Sequence, residues 1–533
     1  MMGGGGARIE RRPGPAVGWK LIALGFVMAV AGYLRFSNLQ TNPGWYSDEG
    51  TLADITRHLM EGRVQVLAIN QSTLLAARMP LGPLLASGFT PPGASPLQTL
   101  RLMAATSGVL TTGLLFLLAN RITGSQGYGL LSGGLLAIYP PAVFYSRIGF
   151  SYNLLAPLVV VALGGLWFYL DQQSRAGLVA ASLAIGAGSL IDLMMISLAA
   201  PLILVMLVHR KRDLAWGIPL FLAPVLGYAA WMLIRVPNPF MFDLRFIATR
   251  LGAIPWWAQL PLVVYNFGTL ILSDPWWAPA LIGLLLARPR NWRLLQLTAF
   301  LFPLIVLGRS AGLAGLRLYS ISPLFPFIGL GTASLLWTGI PWLLGIAREA
   351  IQIQLHKIRW CAGPGAGAWV NSRLIAFGSA GVLFLVVISP FMISALELVT
   401  AVRTEFKPEN DWAYLPVEPG RQAAAFVNES VGSQELVIAS PALAWALGGR
   451  ATDFQQSLAY RGETSADYPA DVPRDRFEFE ADYERAGLAV VDPIWREWGA
   501  VHLGGVREML RQIEGWPVVW EEGEIQVHQN PDR

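Results

Sequence analysis

The chain has 533 residues, of which 14% are charged and 54% hydrophobic, against about 25% charged in an average soluble domain. Its formal net charge of +4 does not point to nucleic acid, because the basic residues stand in short loops between apolar runs, the positive-inside pattern of a polytopic membrane protein. A single cysteine, Cys361, excludes an intrachain disulfide and a cysteine metal cluster.

Residues 1–18 are Gly-rich and basic and read as a disordered cytoplasmic tail. The first apolar span is 19–36, with Arg8, Arg11 and Arg12 before it and Lys20 at its start. A long outer loop, 37–98, follows, and within it Leu52, Ile55 and Leu59 at helical spacing predict a helix lying on the membrane surface. Further spans are expected at 99–119, 128–145, 154–170 and 214–234. The run 176–208 overshoots one bilayer crossing and must bend near Ile191-Asp192. A second outer segment, 235–270, precedes a span that begins after Asp274-Pro275-Trp276-Trp277 and stops at Arg288. The last spans are expected at 294–307, 321–346 and 374–396. This makes about eleven transmembrane helices, with the N-terminus cytoplasmic and the C-terminus outside a plasma membrane. Residues 19–400 thus form a helical membrane domain. From 401 to 533 the composition turns polar, and strand-like runs such as Leu436-Val437-Ile438-Ala439 and Leu488-Ala489-Val490-Val491 alternate with helical stretches, which predicts a small extracytoplasmic α/β domain.

The stretch with the most chemistry is Gly44-Trp45-Tyr46-Ser47-Asp48-Glu49-Gly50, directly before the helical run of the first loop. One reading is capping: Ser47 is a good N-cap, and acids in a first turn gain roughly 0.3–1 kcal/mol from the helix dipole. The other is catalysis, since an ionised Asp48 could accept the proton of an incoming hydroxyl. Outer-face arginines, among them Arg78, Arg101, Arg147 and Arg317, carry the paired donors and permanent charge that a lipid-linked phosphate requires. Asp48, Glu49 and His58 could hold a divalent cation, although their spacing matches no strong ligand pattern. A multi-pass transporter or flippase is the competing function. Such proteins gather ionisable groups near the bilayer midplane, whereas here the span centres are nearly free of charge.

The order of motifs resembles a known family. Tyr46-Ser47-Asp48-Glu49-Gly50 is followed by Met79-Pro80-Leu81, by Leu100-Arg101-Leu102, by the run from Gly133 to Pro140, by Tyr145-Ser146-Arg147, and later by Arg317-Leu318-Tyr319. It is similar to the GT-C integral-membrane glycosyltransferases, specifically the protein mannosyltransferase and aminoarabinose transferase group. That resemblance implies a polyprenyl-phosphate sugar donor and an extracytoplasmic site. It also implies inversion at the anomeric carbon, with transfer to a protein, lipid or glycan acceptor. It places the catalytic acid at Asp48, with Glu49 beside it. Donor-phosphate arginines are expected at Arg78 and Arg147 and, further, at Arg101 and Arg317, and a substrate pocket at Tyr145, Asp192 and Tyr319. Two departures stand out. Arg78-Met79-Pro80 replaces a run that often carries Lys before the Pro, and Ile191-Asp192 stands where relatives often have Thr-Lys, which reverses a charge.

Overall fold

The computed structural model describes residues 17–62, 79–252, 256–310, 316–341, 372–406, 413–466 and 468–533. Arg78 lies outside them. The chain is a membrane protein. Among the described residues six helices are long and apolar enough to cross a bilayer, or seven if one bent pair counts as a single span.

α1 (Val17–Phe36), α4 (Pro96–Thr123), α7 (Leu155–Gln172), α10 (Leu214–Arg235), α14 (Arg290–Ser310) and α16 (Ser372–Arg403) coincide with expected spans. The expected span 128–145 is broken. α5 (Gln126–Ile138) ends where Pro140 begins the short α6 (Pro140–Tyr145), because a proline nitrogen cannot continue the hydrogen-bond ladder. The run 176–208 also breaks where its length demanded. α8 (Arg175–Ser189) gives way to a turn at 190–192, a 3₁₀ run (Leu193–Leu198) and α9 (Ala199–His209).

The segment 235–270 departs from the sequence reading. It is not loop but two helices, α11 (Pro237–Gly252) and α12 (Trp256–Ser273), the second largely apolar. α12 and the short α13 (Trp277–Leu286) meet at a bend of 114°. Asp274 sits in that bend, where it accepts from the Tyr139 hydroxyl and, at 3.3 Å, from the Trp276 N–H. The polar pair at a break between apolar helices hid the preceding helix from a hydropathy reading. A later span contains α15 (Pro326–Ser334), which packs closely on α13. A Cβ on Gly283 would lie 1.7 Å from the Gly331 carbonyl oxygen, so only glycine permits that approach.

Beyond α16 the chain forms an open sheet of order β4-β3-β5-β7-β6. β3 (Leu436–Ala439), β4 (Arg450–Asp453) and β5 (Leu488–Val491) run parallel, and β6 (Val518–Glu522) with β7 (Ile525–Gln529) closes it antiparallel. The helices are α17 (Val417–Ser430), α18 (Pro441–Ala444), α19 (Phe454–Tyr460) and α20 (Gly504–Ile513). Its hydrophobic core does not stop at the sheet. Val437, Ile438 and Leu443 share one apolar cluster with Trp45, Leu52, Leu97 and Leu100 of the membrane part.

Candidate functional site

The site is built around α2 (Ser47–Met60), entered through the two-residue strand β1 (Trp45–Tyr46). β1 pairs antiparallel with β2 (Tyr414–Leu415), Trp45 opposite Leu415 and Tyr46 opposite Tyr414, so the start of the sheet region sits beside the acidic motif. The helix forms as the 52/55/59 spacing requires, but its apolar face is covered by protein and does not lie on a membrane surface. Leu52 and Ala53 pack with the sheet region, and Ile55 packs with Met232 and Phe240. Gly50 makes this seat possible, since a Cβ there would lie 2.1 Å from the Pro441 carbonyl oxygen. Trp45 meets Trp445 edge-on at 5.3 Å, and Arg57 Nη1 donates to the Trp445 carbonyl at 3.2 Å.

The N-cap is Tyr46, not Ser47: Tyr46 has extended backbone, φ −108° and ψ 147°. Glu49, three residues on, reaches back to accept from the Tyr46 N–H at 3.4 Å. The same carboxylate accepts from Arg101 Nε at 2.6 Å, from Arg101 Nη2 at 2.7 Å and from the Gly149 N–H at 2.7 Å. Glu49 is 0% and Arg101 1% exposed. Arg101 spends its other N–H groups on the carbonyls of Leu39, Pro43 and Gly44, at 3.2, 3.0 and 2.7 Å. A guanidinium has five N–H donors, and all five of Arg101 are used, so it shapes the 39–49 loop and has none left for a phosphate.

Arg147 behaves alike. It is fully buried and donates to the carbonyls of Leu34 (2.8 Å), Ser37 (2.6 Å) and Asn42 (2.7 and 3.2 Å), at the C-terminal end of α1 where carbonyls lack helical partners. Burial, with the neighbouring charge of Arg101, lowers it to about 10, which leaves it protonated at neutral pH. Asn42 continues the lacing: its amide donates to the Ala401 carbonyl at 2.8 Å, and its Oδ1 accepts from the Phe406 N–H at 3.0 Å. Arg317 is different. It is exposed, and among the described residues its guanidinium has no hydrogen bond or ion pair. It opens the turn that presents Tyr319.

Around the first turn of α2 lies a wall of aromatic rings. Tyr46 meets Phe150 edge-on at 4.9 Å and Tyr414 at 5.1 Å, and Phe150 stacks on Tyr319 at 5.6 Å. Tyr145 packs against Phe144 and Phe325 at 5.1 and 6.3 Å. Burial pushes the Tyr46 hydroxyl well above its ordinary range, and Asp48, Tyr319, Tyr414 and Tyr145 add to the shift. Tyr414 is raised in the same way, with Tyr145, Glu49, Tyr319 and Asp48 adding to burial. Tyr145 and Tyr319, expected from the sequence, and Asp48 therefore each lie within electrostatic reach of Tyr46 and Tyr414. Tyr414 and Phe150 are additions, and no sequence signal marked the two-residue strand that brings Tyr414 across.

Asp48 is half-buried on the first turn. Asp192 lies at the turn after α8, where its Oδ1 accepts from the Met194 N–H at 2.8 Å and caps the 3₁₀ run. The Leu190 carbonyl in that turn accepts from the Leu81 N–H at 3.0 Å, which ties the turn to the residues after Met79-Pro80. His58 lies ten residues beyond Asp48, about 15 Å along a helix, with Nδ1 3.7 Å from Asp54. With Glu49 saturated and His58 distant, Asp48, Glu49 and His58 do not converge on one ion, and among the described residues no group of three His, Cys, Asp or Glu side chains does.

No protein-family model and no curated protein sequence matches the chain. Solved structures do. Two crystal structures of ArnT from Cupriavidus metallidurans, one bound to undecaprenyl phosphate and one in the apo state, are similar at TM-scores of 0.63 and 0.58. Each is 17% identical in sequence, and the match covers 96% of this chain and 98% and 97% of those. At that identity the likeness establishes the architecture: over nearly its whole length the chain has the fold of ArnT, a GT-C fold with a terminal sheet region.

Proposed function

We propose that the chain is an inverting glycosyltransferase that moves a sugar from a polyprenyl-phosphate donor to an extracytoplasmic acceptor, with Asp48 as the base. The carrying observation is the first turn of α2. There one acid, Glu49, is consumed by Arg101 and Gly149, while its neighbour Asp48 stands half-buried beside tyrosines whose hydroxyls stay protonated. The shared fold with an ArnT that binds undecaprenyl phosphate supports the donor class.

Asp48 takes the proton of the acceptor nucleophile, whose lone pair attacks the anomeric carbon. The bond from that carbon to the phosphate oxygen breaks on the opposite face, and polyprenyl phosphate leaves. Neutral tyrosyl hydroxyls donate to sugar oxygens, and aromatic faces cover the apolar side of a sugar ring. Arg317, exposed and without a protein acceptor among the described residues, and Arg78 are the arginines proposed to meet the phosphate. The site faces the extracytoplasmic side of the plasma membrane, with residues 1–18 in the cytoplasm. A divalent cation, if used, would bind Asp48 together with the donor phosphate.

The test is turnover. Purified protein given a polyprenyl-phosphate sugar and an acceptor should release polyprenyl phosphate. Asp48→Asn should cut release by about 10²–10⁴-fold, the range for a lost general base, with unchanged thermal unfolding. Full turnover by Asp48→Asn would sink the assignment, and solute uptake into sealed vesicles would favour transport instead.

A further inference from the structure

α1 and α16 touch mainly at their site-side ends, where Leu34, Val143, Leu398 and Val402 form one small apolar cluster and the Asn38 amide donates to the carbonyls of Val402 and Arg403 at 3.3 and 3.2 Å. Below that contact the helices part. The gap is a groove of about 360 Å³ lined by Phe26, Ala29, Val30 and Tyr33 of α1 and by Ala395 and Val399 of α16. Both helices are membrane-crossing candidates with little of their surface buried by protein, and Phe26 is 64% exposed, so the groove opens toward lipid. From Phe26 to Tyr33 it runs about 10 Å along the helix, the length of a short run of methylenes.

The groove ends at a cation. Arg403, in the last turn of α16, donates from Nε to the Tyr33 hydroxyl at 2.8 Å, and its guanidinium lies 5.9 Å from the Tyr33 ring centre. Among the described residues its two terminal nitrogens have no protein acceptor, and it forms no ion pair. Tyr33 accepts from Arg403 and so has its own O–H left to donate. A guanidinium beside a phenol at the membrane interface matches a lipid phosphate, which takes paired donors from arginine.

We propose that this groove binds one anionic phospholipid, with an acyl chain between α1 and α16 and its phosphate on Arg403 Nη1 and Nη2 and the Tyr33 hydroxyl. The lipid fills the space that the two helices leave open, and it braces the segments that lead to Tyr46 and to Tyr414. The inference does not depend on the transferase reading.

Native mass spectrometry of the full chain in detergent, titrated with phosphatidylglycerol or phosphatidylcholine, tests it. One phosphatidylglycerol should remain bound at concentrations where phosphatidylcholine does not, a preference of about fivefold, because choline cancels the phosphate charge that the arginine attracts. Arg403→Gln should reduce that preference to within about twofold, and Ala395→Phe, which fills the groove, should abolish the single-lipid adduct. Thermal unfolding checks that each variant is folded, and Arg403→Gln, at an exposed position, keeps the test open should Ala395→Phe fail to fold. Equal binding of the two lipids by the unaltered chain, or an unchanged preference in Arg403→Gln, would overturn the proposal. So would displacement of phosphatidylglycerol from this groove by an equimolar polyprenyl phosphate.

Discussion

Arg101 holds the Glu49 carboxylate through contacts of 2.6 and 2.7 Å, both groups out of water, while Asp48, one residue earlier, is left half-buried. With Asp48 as the proposed base, the two adjacent acids have separate work. Removing one partner of a buried ion pair strands the other charge and costs about 3–5 kcal/mol. Glu49→Gln and Arg101→Gln should each lower the unfolding temperature and activity together, whereas Asp48→Asn should lower activity alone. Thermal unfolding in detergent beside turnover separates these outcomes. A Glu49→Gln protein as stable as the unaltered chain would refute the division.

The tyrosines give a second expectation. Tyr46 and Tyr414 are held protonated by burial and by Asp48. A hydroxyl whose folded pKa lies above its unfolded value of about 10 stabilises the fold fully below pH 10, and that contribution is lost as pH rises further. Unfolding followed from pH 8 to pH 11 should therefore show alkaline destabilisation that the double change Tyr46→Phe with Tyr414→Phe reduces. Tyr414→Phe alone keeps the ring and removes one donor, so turnover should fall about tenfold, the size of one lost hydrogen bond. A single-turnover assay would show it, and an unaltered rate would remove Tyr414 from the site.

What could be read from the chain follows a physical line. Helices that meet lipid announce themselves by composition, so α1, α4, α7, α10, α14 and α16 stand where hydropathy places them. The break at 190–192 follows from length alone. α12 was hidden because polar Asp274 and Pro275 interrupt its continuation into α13. The motif order singles out Asp48, Tyr145 and Tyr319, which the structure places near Tyr46 and Tyr414, yet residue type could not tell an arginine that meets a substrate from one that caps backbone carbonyls. Arg101 and Arg147 have the composition of phosphate ligands and the geometry of scaffolding, and only the positions of Leu34, Ser37, Asn42 and Gly44 reveal it.

That distinction can be measured. Arg147→Gln removes charge-assisted bonds to α1 and its following loop, each worth about 1.5–3 kcal/mol, and should destabilise the protein before any kinetic effect is visible. Arg317→Gln should leave unfolding unchanged and raise the donor KM about tenfold, an effect that added salt should mimic because exposed charge is screened. Identical unfolding and kinetic profiles for the two variants would defeat the distinction.

The sheet region carries its own titration. Asp492 is fully buried, accepts from the Ser440 hydroxyl at 2.5 Å and from the Ile494 and Trp495 N–H groups at 2.9 and 3.3 Å, and sits where β5 ends beside β3. Burial raises it to about 6 despite those donors. With a folded pKa above the unfolded one, the favourable contribution is complete below about pH 4 and disappears as pH rises through 6, a change of about 3 kcal/mol at 1.36 kcal/mol per unit. Ser440 leads into α18, against which Gly50 of α2 is seated, so the titration acts on the support of the helix that carries Asp48. Unfolding should become easier between pH 4 and pH 6.5. Asp492→Asn, neutral throughout, should flatten that slope while other carboxylates keep theirs, and an undiminished slope in the variant would show that Asp492 does not set it.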